Sequence, residues 1–492
     1  MTNSSPGGLS PDGSDTNMPS SAIAHPKLTL PVKLAYGAGD LGAGLTSQFL
    51  AFFLLSFLIY VANMDPLAAG LVLAVGKIWD AVNDPLVGML SDRTKTRWGR
   101  RYPWMFLTAL PFGLSYFLIW ITPFGADASD GTKFWYYVII TTIFQVFFTT
   151  TNLPYTSLTA EMSSDYDQST ELTSFRLSAS VLGGVAILII YGVIAAMVPD
   201  RATQYILLGL IGGGISVASI YWCVFGTYGY MVKKAAAEGR SLNDTTDDNP
   251  EPFFQQLKSV LSNRPFLFVV CIYLCSWLAL QITAAVLPFY AVSVMEQSSE
   301  SLPALLVQGP AIALMFVCAA LSKRLGKKRL FYLGSAIWIP IQAALYFLGP
   351  NQSGLFLSLC FLASFGVAVA YVVPWSILPD VIDLDELQTG HRREGTFYSF
   401  MTLLQKLGLA LGLFLVGAAL DASGFVRALP GEPLPIQPEP TKQVISLFMG
   451  PVPLLFVLCA LVLVYFYPLT REAHTEIMLK LAERKRTIAN TD

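Results

Sequence analysis

Charged side chains are scarce in this sequence. Asp, Glu, Lys and Arg make up 13% of its 492 residues, against about 25% in a soluble domain, which excludes an ordinary water-soluble globule. The net charge of −2 points to no partner, because the charges are scattered among loops instead of forming one field; no nucleic acid is expected. Histidine is nearly absent: His25, His391 and His474 fall in expected tails or loops, so no histidine proton relay is available. The six cysteines (Cys223, Cys271, Cys275, Cys318, Cys360 and Cys459) all lie in apolar segments with no CxxC spacing. They read as small core residues and give neither a disulfide framework nor a metal cluster. There is no nucleotide-binding loop and no nucleophile–base pair, so neither an enzyme nor a cofactor is expected. The first thirty residues are rich in Ser, Gly, Pro and Asp and lack an apolar h-region. They read as a disordered cytoplasmic tail (1–30), not a signal peptide, and insertion falls to the first membrane helix.

Long apolar runs fill the rest. Hydrophobic residues reach 54% and the mean hydropathy is +0.55. A spanning helix needs about 20 mostly apolar residues. On that measure twelve are predicted: 34–62, 67–91, 103–124, 134–160, 175–198, 203–229, 264–292, 303–322, 329–349, 354–377, 396–421 and 444–468. Lys and Arg gather in alternate loops: Arg93, Lys95, Arg97, Arg100 and Arg101 after helix two, then Lys323, Arg324, Lys327, Lys328 and Arg329 after helix eight. Lys233, Lys234 and Arg240 mark the middle loop, and the C-terminal tail is basic too. The opposite side offers only Lys133, Arg201, Arg427 and Lys442. By the positive-inside rule both termini face the cytoplasm of the plasma membrane.

Those basic loops also expose a repeat. Ser91-Asp92-Arg93 with Trp98-Gly99-Arg100-Arg101 is echoed by Ser322-Lys323-Arg324 with Gly326-Lys327-Lys328-Arg329, each after the second helix of its half. The expected fold is all-α: two pseudo-symmetric six-helix bundles, 31–229 and 264–470, around a middle loop at 230–263, with a cytoplasmic tail at 471–492. In that loop Phe253, Phe254, Leu257, Val260 and Leu261 keep helical spacing, predicting an amphipathic surface helix. Two such halves with a site between them is the plan of a secondary transporter.

Asp80 and Asp84 carry the chemistry. An ionised side chain near the bilayer centre costs roughly 2.5–3.5 kcal/mol on insertion scales, and residues at i and i+4 share a helix face. Lys77 and Asn83 flank Asp80 at three residues on either side. Carboxylate and amide oxygens suit a small hard cation such as Na⁺, or one carboxylate carries a proton. A structural Lys–Asp pair is the bland alternative, but one lysine does not balance two carboxylates.

The stretch Lys77-Ile78-Trp79-Asp80-Ala81-Val82-Asn83-Asp84-Pro85, followed by Ser91-Asp92-Arg93 and Arg97-Trp98-Gly99-Arg100, resembles the melibiose permease family. These are the glycoside–pentoside–hexuronide cation symporters of the major facilitator superfamily. Pro379-Asp380-Val381-Ile382-Asp383 with Arg392-Arg393-Glu394-Gly395-Thr396-Phe397-Tyr398 agrees, as do Tyr36-Gly37 and Gly39-Asp40. The resemblance covers residues 33–470. It implies a Na⁺ site at Asp80, Asn83, Asp84 and Thr149. It also implies that Lys406 reaches the same cavity from helix eleven, so that an arriving cation displaces an ammonium. A snorkelling lysine is the other reading of Lys406.

The resemblance is weaker for the solute. The family's galactoside carriers hold sugar with acids in helices one and four, an aromatic one turn after the latter, and an arginine in helix five. Here those positions are Gly44, Asn152, Thr156 and Arg176. Asn152 could still bind a hydroxyl, and Arg176 suits a uronide carboxylate. Gln48, Gln281 and Trp375 are further pocket candidates at helix midpoints, each also readable as a packing residue. Lys77, Asp92, Arg93, Arg100, Asp380, Asp383, Arg392 and Arg393 are candidates for coupling and gating. Asp380, Asp383, Asp385 and Glu386 read either as a cytoplasmic gate facing Arg392 and Arg393 or as a solvated loop. The leading expectation is a monomeric symporter in which a Na⁺ or H⁺ gradient drives a glycoside, pentose or uronide through the lipid bilayer. A lysophospholipid or other amphiphile is the runner-up solute, and a non-transporting sensor is the reading from another class.

Overall fold

The computed structural model describes residues 28–489, apart from 126–127, 164, 239–261, 298, 390–392, 428–433 and 470. The expected middle-loop helix and Arg392 therefore lie outside the described residues. Among those described, the chain is helical with no strand. The first half holds α1 (Leu30–Ala38), α2 (Leu41–Tyr60), α3 (Pro66–Arg93), α4 (Tyr102–Ile119), α5 (Asp130–Met162), α6 (Tyr166–Met197) and α7 (Arg201–Glu238). The second holds α8 (Arg264–Phe289) with a π-helical end (Tyr290–Val294), α9 (Ser301–Leu325), α10 (Lys327–Tyr346), α11 (Ser353–Thr389), α12 (Glu394–Ala422), α13 (Glu439–Met449) and α14 (Pro451–Phe466). A final helix, α15 (Arg471–Ala489), follows.

Ten spans are long and apolar enough to cross a membrane. The two other expected spans are α3, which carries Lys77, Asp80 and Asp84, and α10, which opens on Lys327, Lys328 and Arg329. Charge lowers their hydropathy, and in α3 that charge is the site itself. The repeat is visible in the packing. Contacts of α2 with α6, α3 with α5, and α4 with α7 reappear as α8 with α12, α9 with α11, and α10 with α14.

Four boundaries differ from expectation, each for a local reason. Helix one breaks at Gly39–Asp40, where a β-carbon on Gly39 would lie 2.4 Å from the Tyr155 ring and the Tyr155 hydroxyl donates to the Tyr36 carbonyl at 2.8 Å. Helix twelve breaks at Gly450–Pro451, because proline supplies no N–H to continue the ladder. Helix ten runs to Thr389, so Asp380, Asp383, Asp385 and Glu386 are buried on a helix and the solvated-loop reading is wrong. Paired partners let that helix continue past the apolar stretch. The C-terminal tail is helical as α15, with Ile477 and Leu481 buried. His474 belongs to it and meets Asp383 at 3.0 Å, so it is not a loose tail residue.

One glycine decides a solute position. A β-carbon on Gly44 would lie 2.0 Å from the Ser180 carbonyl oxygen of α6. The family's helix-one acid has no room there. We expect Gly44→Ala to destabilise the first half by about 1–3 kcal/mol through overpacking, read as a lower unfolding temperature in detergent.

Candidate functional site

α3 presents Asp80 and Asp84 one turn apart, and α5 supplies the wall behind them. Thr149 Oγ1 lies 3.1 Å from Asp84 Oδ1 and 3.4 Å from Asp80 Oδ1. Asn83 is buried and donates its amide N–H to the Gln145 carbonyl of α5 at 3.3 Å, which holds the two helices in register. The fifth participant comes from the other half. Lys406 Nζ of α12 is 2.6 Å from Asp84 Oδ2 and 3.0 Å from Asp80 Oδ1. Lys77 Nζ is 4.0 Å from Asp80 Oδ2 on the same helix. Two ammonium groups thus face two carboxylates, and the local charge balances. The snorkelling reading of Lys406 fails, because its head points into the protein seam.

The solute candidates divide. Arg176 Nε is 3.9 Å from Asp40 Oδ2, an ion pair too long for a hydrogen bond. Both Arg176 Nε and Asn152 Oδ1 are buried with no hydrogen-bond partner among the described residues. Thr156 turns its hydroxyl back to the Leu153 carbonyl of its own helix at 3.0 Å. Gln48 packs at the α2–α6 crossing, where a β-carbon on Gly184 would meet it at 3.3 Å. Trp375 stacks on Tyr398 with ring centres 5.9 Å apart. Gln281 is half-buried on α8.

Several gating candidates pair within their own half. Asp92 pairs with Arg101 at 2.5 Å and Arg100 with Glu161 at 2.8 Å, pinning the first basic loop to the end of α5. Lys327 meets Asp380 at 2.7 Å, the matching pin in the second half. Arg393 pairs with Asp385 at 2.7 Å, as the gate reading expected, while Asp383 also meets His474 at 3.0 Å. Arg93 is exposed at the end of α3.

The cross-half bonds missed by sequence reasoning gather at the end opposite the basic loops. Arg201 of α7 lies 2.6 Å from the buried Glu300 at the head of α9. The Tyr60 and Ser293 hydroxyls are 2.9 Å apart. Arg427 of the second half pairs with Asp65 and Asp130 of the first. Backbone meets backbone where a β-carbon on Gly417 of α12 would lie 2.8 Å from Gly70 Cα of α3. The only signal available was that Arg201 and Arg427 are rare cations on a side otherwise nearly free of them.

A family model for MFS/sugar transport protein matches residues 35–471. The chain belongs to this family. An uncharacterized symporter of Synechocystis is 41% identical over 95% of this chain and 99% of that protein. A sodium-dependent lysophosphatidylcholine symporter 1 of Gallus gallus is 28% identical over 92% of this chain and 88% of its own length. Among solved structures, the nucleoside transporter NupG aligns with a TM-score of 0.56 at 14% identity, over 91% of this chain and 98% of that one. The xylose transporter XylE of E. coli, partially occluded and inward open, aligns at 0.58 with 14% identity over 89% and 97%. These structural likenesses concern the fold. The protein is a multi-pass membrane symporter of the MFS/sugar transport family, as its helix-two motif implied.

Proposed function

We propose that this symporter couples Na⁺ entry to uptake of an amphiphilic solute across the plasma membrane, as a monomer with both termini in the cytoplasm. The observation that carries the coupling is the Lys406 ammonium seated 2.6 Å from Asp84 and 3.0 Å from Asp80. Asp80, Asp84, Thr149 and Asn83 offer oxygen donors of the kind a small hard cation takes. Na⁺ and the ammonium compete for the same carboxylates, so cation arrival releases an ionic tie that joins α12 to α3 at this depth. With the outer ends joined through Arg201–Glu300 and Arg427–Asp65, this geometry is the inward-facing stage of the cycle.

The solute reading rests on Gly44. Its packing against Ser180 leaves no room for a helix-one acid, and Asn152 stands at the helix-four acid, which removes two groups that would grip a galactoside. Relatives named as sodium-dependent lysophosphatidylcholine symporters support an amphiphile. A glycoside or uronide is the second reading, favoured by Arg176 Nε, which has no hydrogen-bond partner among the described residues. The test is uptake into proteoliposomes of labelled lysophosphatidylcholine, methyl glycosides and uronides, with Na⁺, Li⁺ or H⁺ gradients imposed separately. We expect Na⁺-driven accumulation of lysophosphatidylcholine and little of the sugars. Accumulation of a uronide alone would move the assignment to the second reading.

A further inference from the structure

The buried polar atoms without a hydrogen-bond partner among the described residues sort by depth. Among the described residues, Asn63, Tyr116, Trp120, Arg201, Tyr205, Glu300 and Tyr467 carry such atoms toward helix ends or in loops. The other three are Asn152 Oδ1, Arg176 Nε and Trp277 Nε1. At about 1.5 Å per residue, Trp277 lies roughly 20 Å from the basic-loop end of α8, and Asn152 and Arg176 roughly 15 Å from those ends of α5 and α6. On the same measure Asp80 lies roughly 20 Å, and Lys406 roughly 18 Å, from the corresponding ends of α3 and α12. All three atoms therefore share the level of the cation site, two on the first half and one on the second.

Trp277 is held firmly in place. The Tyr371 ring of α11 meets it edge-on at 5.6 Å, and Tyr273 lies 5.8 Å away on its own helix. One residue on, Leu278 packs toward α12, where a β-carbon on Gly412 would meet it at 3.0 Å. The indole is thus held against α11 with its ring packed and its N–H without a hydrogen-bond partner among the described residues. An indole nitrogen only donates, and leaving a buried donor unmet costs about 1–3 kcal/mol. Its partner is an oxygen acceptor from outside the protein, supplied by water or by a bound molecule.

We propose that Trp277 is a solute-contacting residue whose indole N–H donates to an oxygen of the transported molecule, a hydroxyl, phosphate or ester oxygen. This rests on the symporter reading and adds a contact from the second half to a pocket otherwise assigned to Asn152 and Arg176. It gives the solute a directional anchor on the half that also carries Lys406.

The experiment is Na⁺-driven uptake by full-length Trp277→Phe in proteoliposomes, with labelled lysophosphatidylcholine in one arm and a methyl glycoside in the other. Phenylalanine keeps a ring against Tyr371 and removes the N–H. For the probe that the wild type accumulates, half-saturation rises roughly three- to tenfold. The maximal rate, Na⁺ dependence and unfolding temperature stay at wild-type values. Trp222→Phe, a lipid-facing control with Trp222 57% exposed, leaves half-saturation unchanged. Unchanged half-saturation in Trp277→Phe means that water alone answers the N–H and overturns the proposal. A loss of Na⁺ dependence in the variant overturns it too, because the tryptophan would then act on the cation site. Wild-type accumulation reports on the symporter reading itself, separately from either variant.

Discussion

Asp84→Cys abolishes concentrative uptake while leaving solute binding measurable. Asp84 takes the shortest bond from Lys406 and also meets Thr149, so its loss removes half the negative charge that holds a cation. Two unit charges 4 Å apart at an effective dielectric of 20 attract by about 4 kcal/mol. Asp84 is 33% exposed, and screening reduces that to roughly 2 kcal/mol, or about thirtyfold in cation affinity. Lys406 keeps Asp80 at 3.0 Å, so the ammonium stays put and the exchange that couples cation to conformation no longer runs. Na⁺ titration by thermal shift, alongside gradient-driven uptake, separates the two effects. Normal accumulation by the variant would contradict the assigned role.

The second large effect comes from the outer seam. On the proposed topology, Gly417→Leu holds the two halves apart at the ends opposite the basic loops and arrests the carrier facing outward. A β-carbon at Gly417 would lie 2.5 Å from the Pro66 carbonyl oxygen and 2.8 Å from Gly70 Cα. Both are backbone atoms, which cannot swing aside as a side-chain tip does. We expect Ser293→Cys, in a background without the six native cysteines, to react with a membrane-impermeant maleimide more than about tenfold faster when Gly417→Leu is added, since an opening worth over 1.4 kcal/mol gives that factor. Transport falls in parallel. Unchanged labelling would mean the seam tolerates the bulk and is not the closing contact.

Much of this was legible in the residues. Twelve apolar runs and two basic loops in equivalent positions carry the fold, because lipid demands long apolar helices and alternate loops hold the cations. Asp80 and Asp84 stood out for the same reason: charge inside such a run is costly. Lys406 was recognisable only through resemblance, since nothing in Gln405-Lys406-Leu407-Gly408 says which helix it meets. The outer contacts were not legible. Gly70, Gly417, Tyr60 and Ser293 are ordinary residues whose meaning lies in two halves meeting. Asp380 to Glu386 left two readings open, because a run of acids resembles a solvated loop until Lys327, Arg393 and His474 are placed against it.

The docking of α15 bears on how this protein is handled. His474 sits within 3.0 Å of Asp383 and 3.5 Å of Asp380, and Ile477 and Leu481 are tucked away beside it. A reporter or purification tag spliced on directly after Leu469 would strip an imidazole from two acids in the bundle. Fusions belong beyond Ala489, where the last helix has already finished its work.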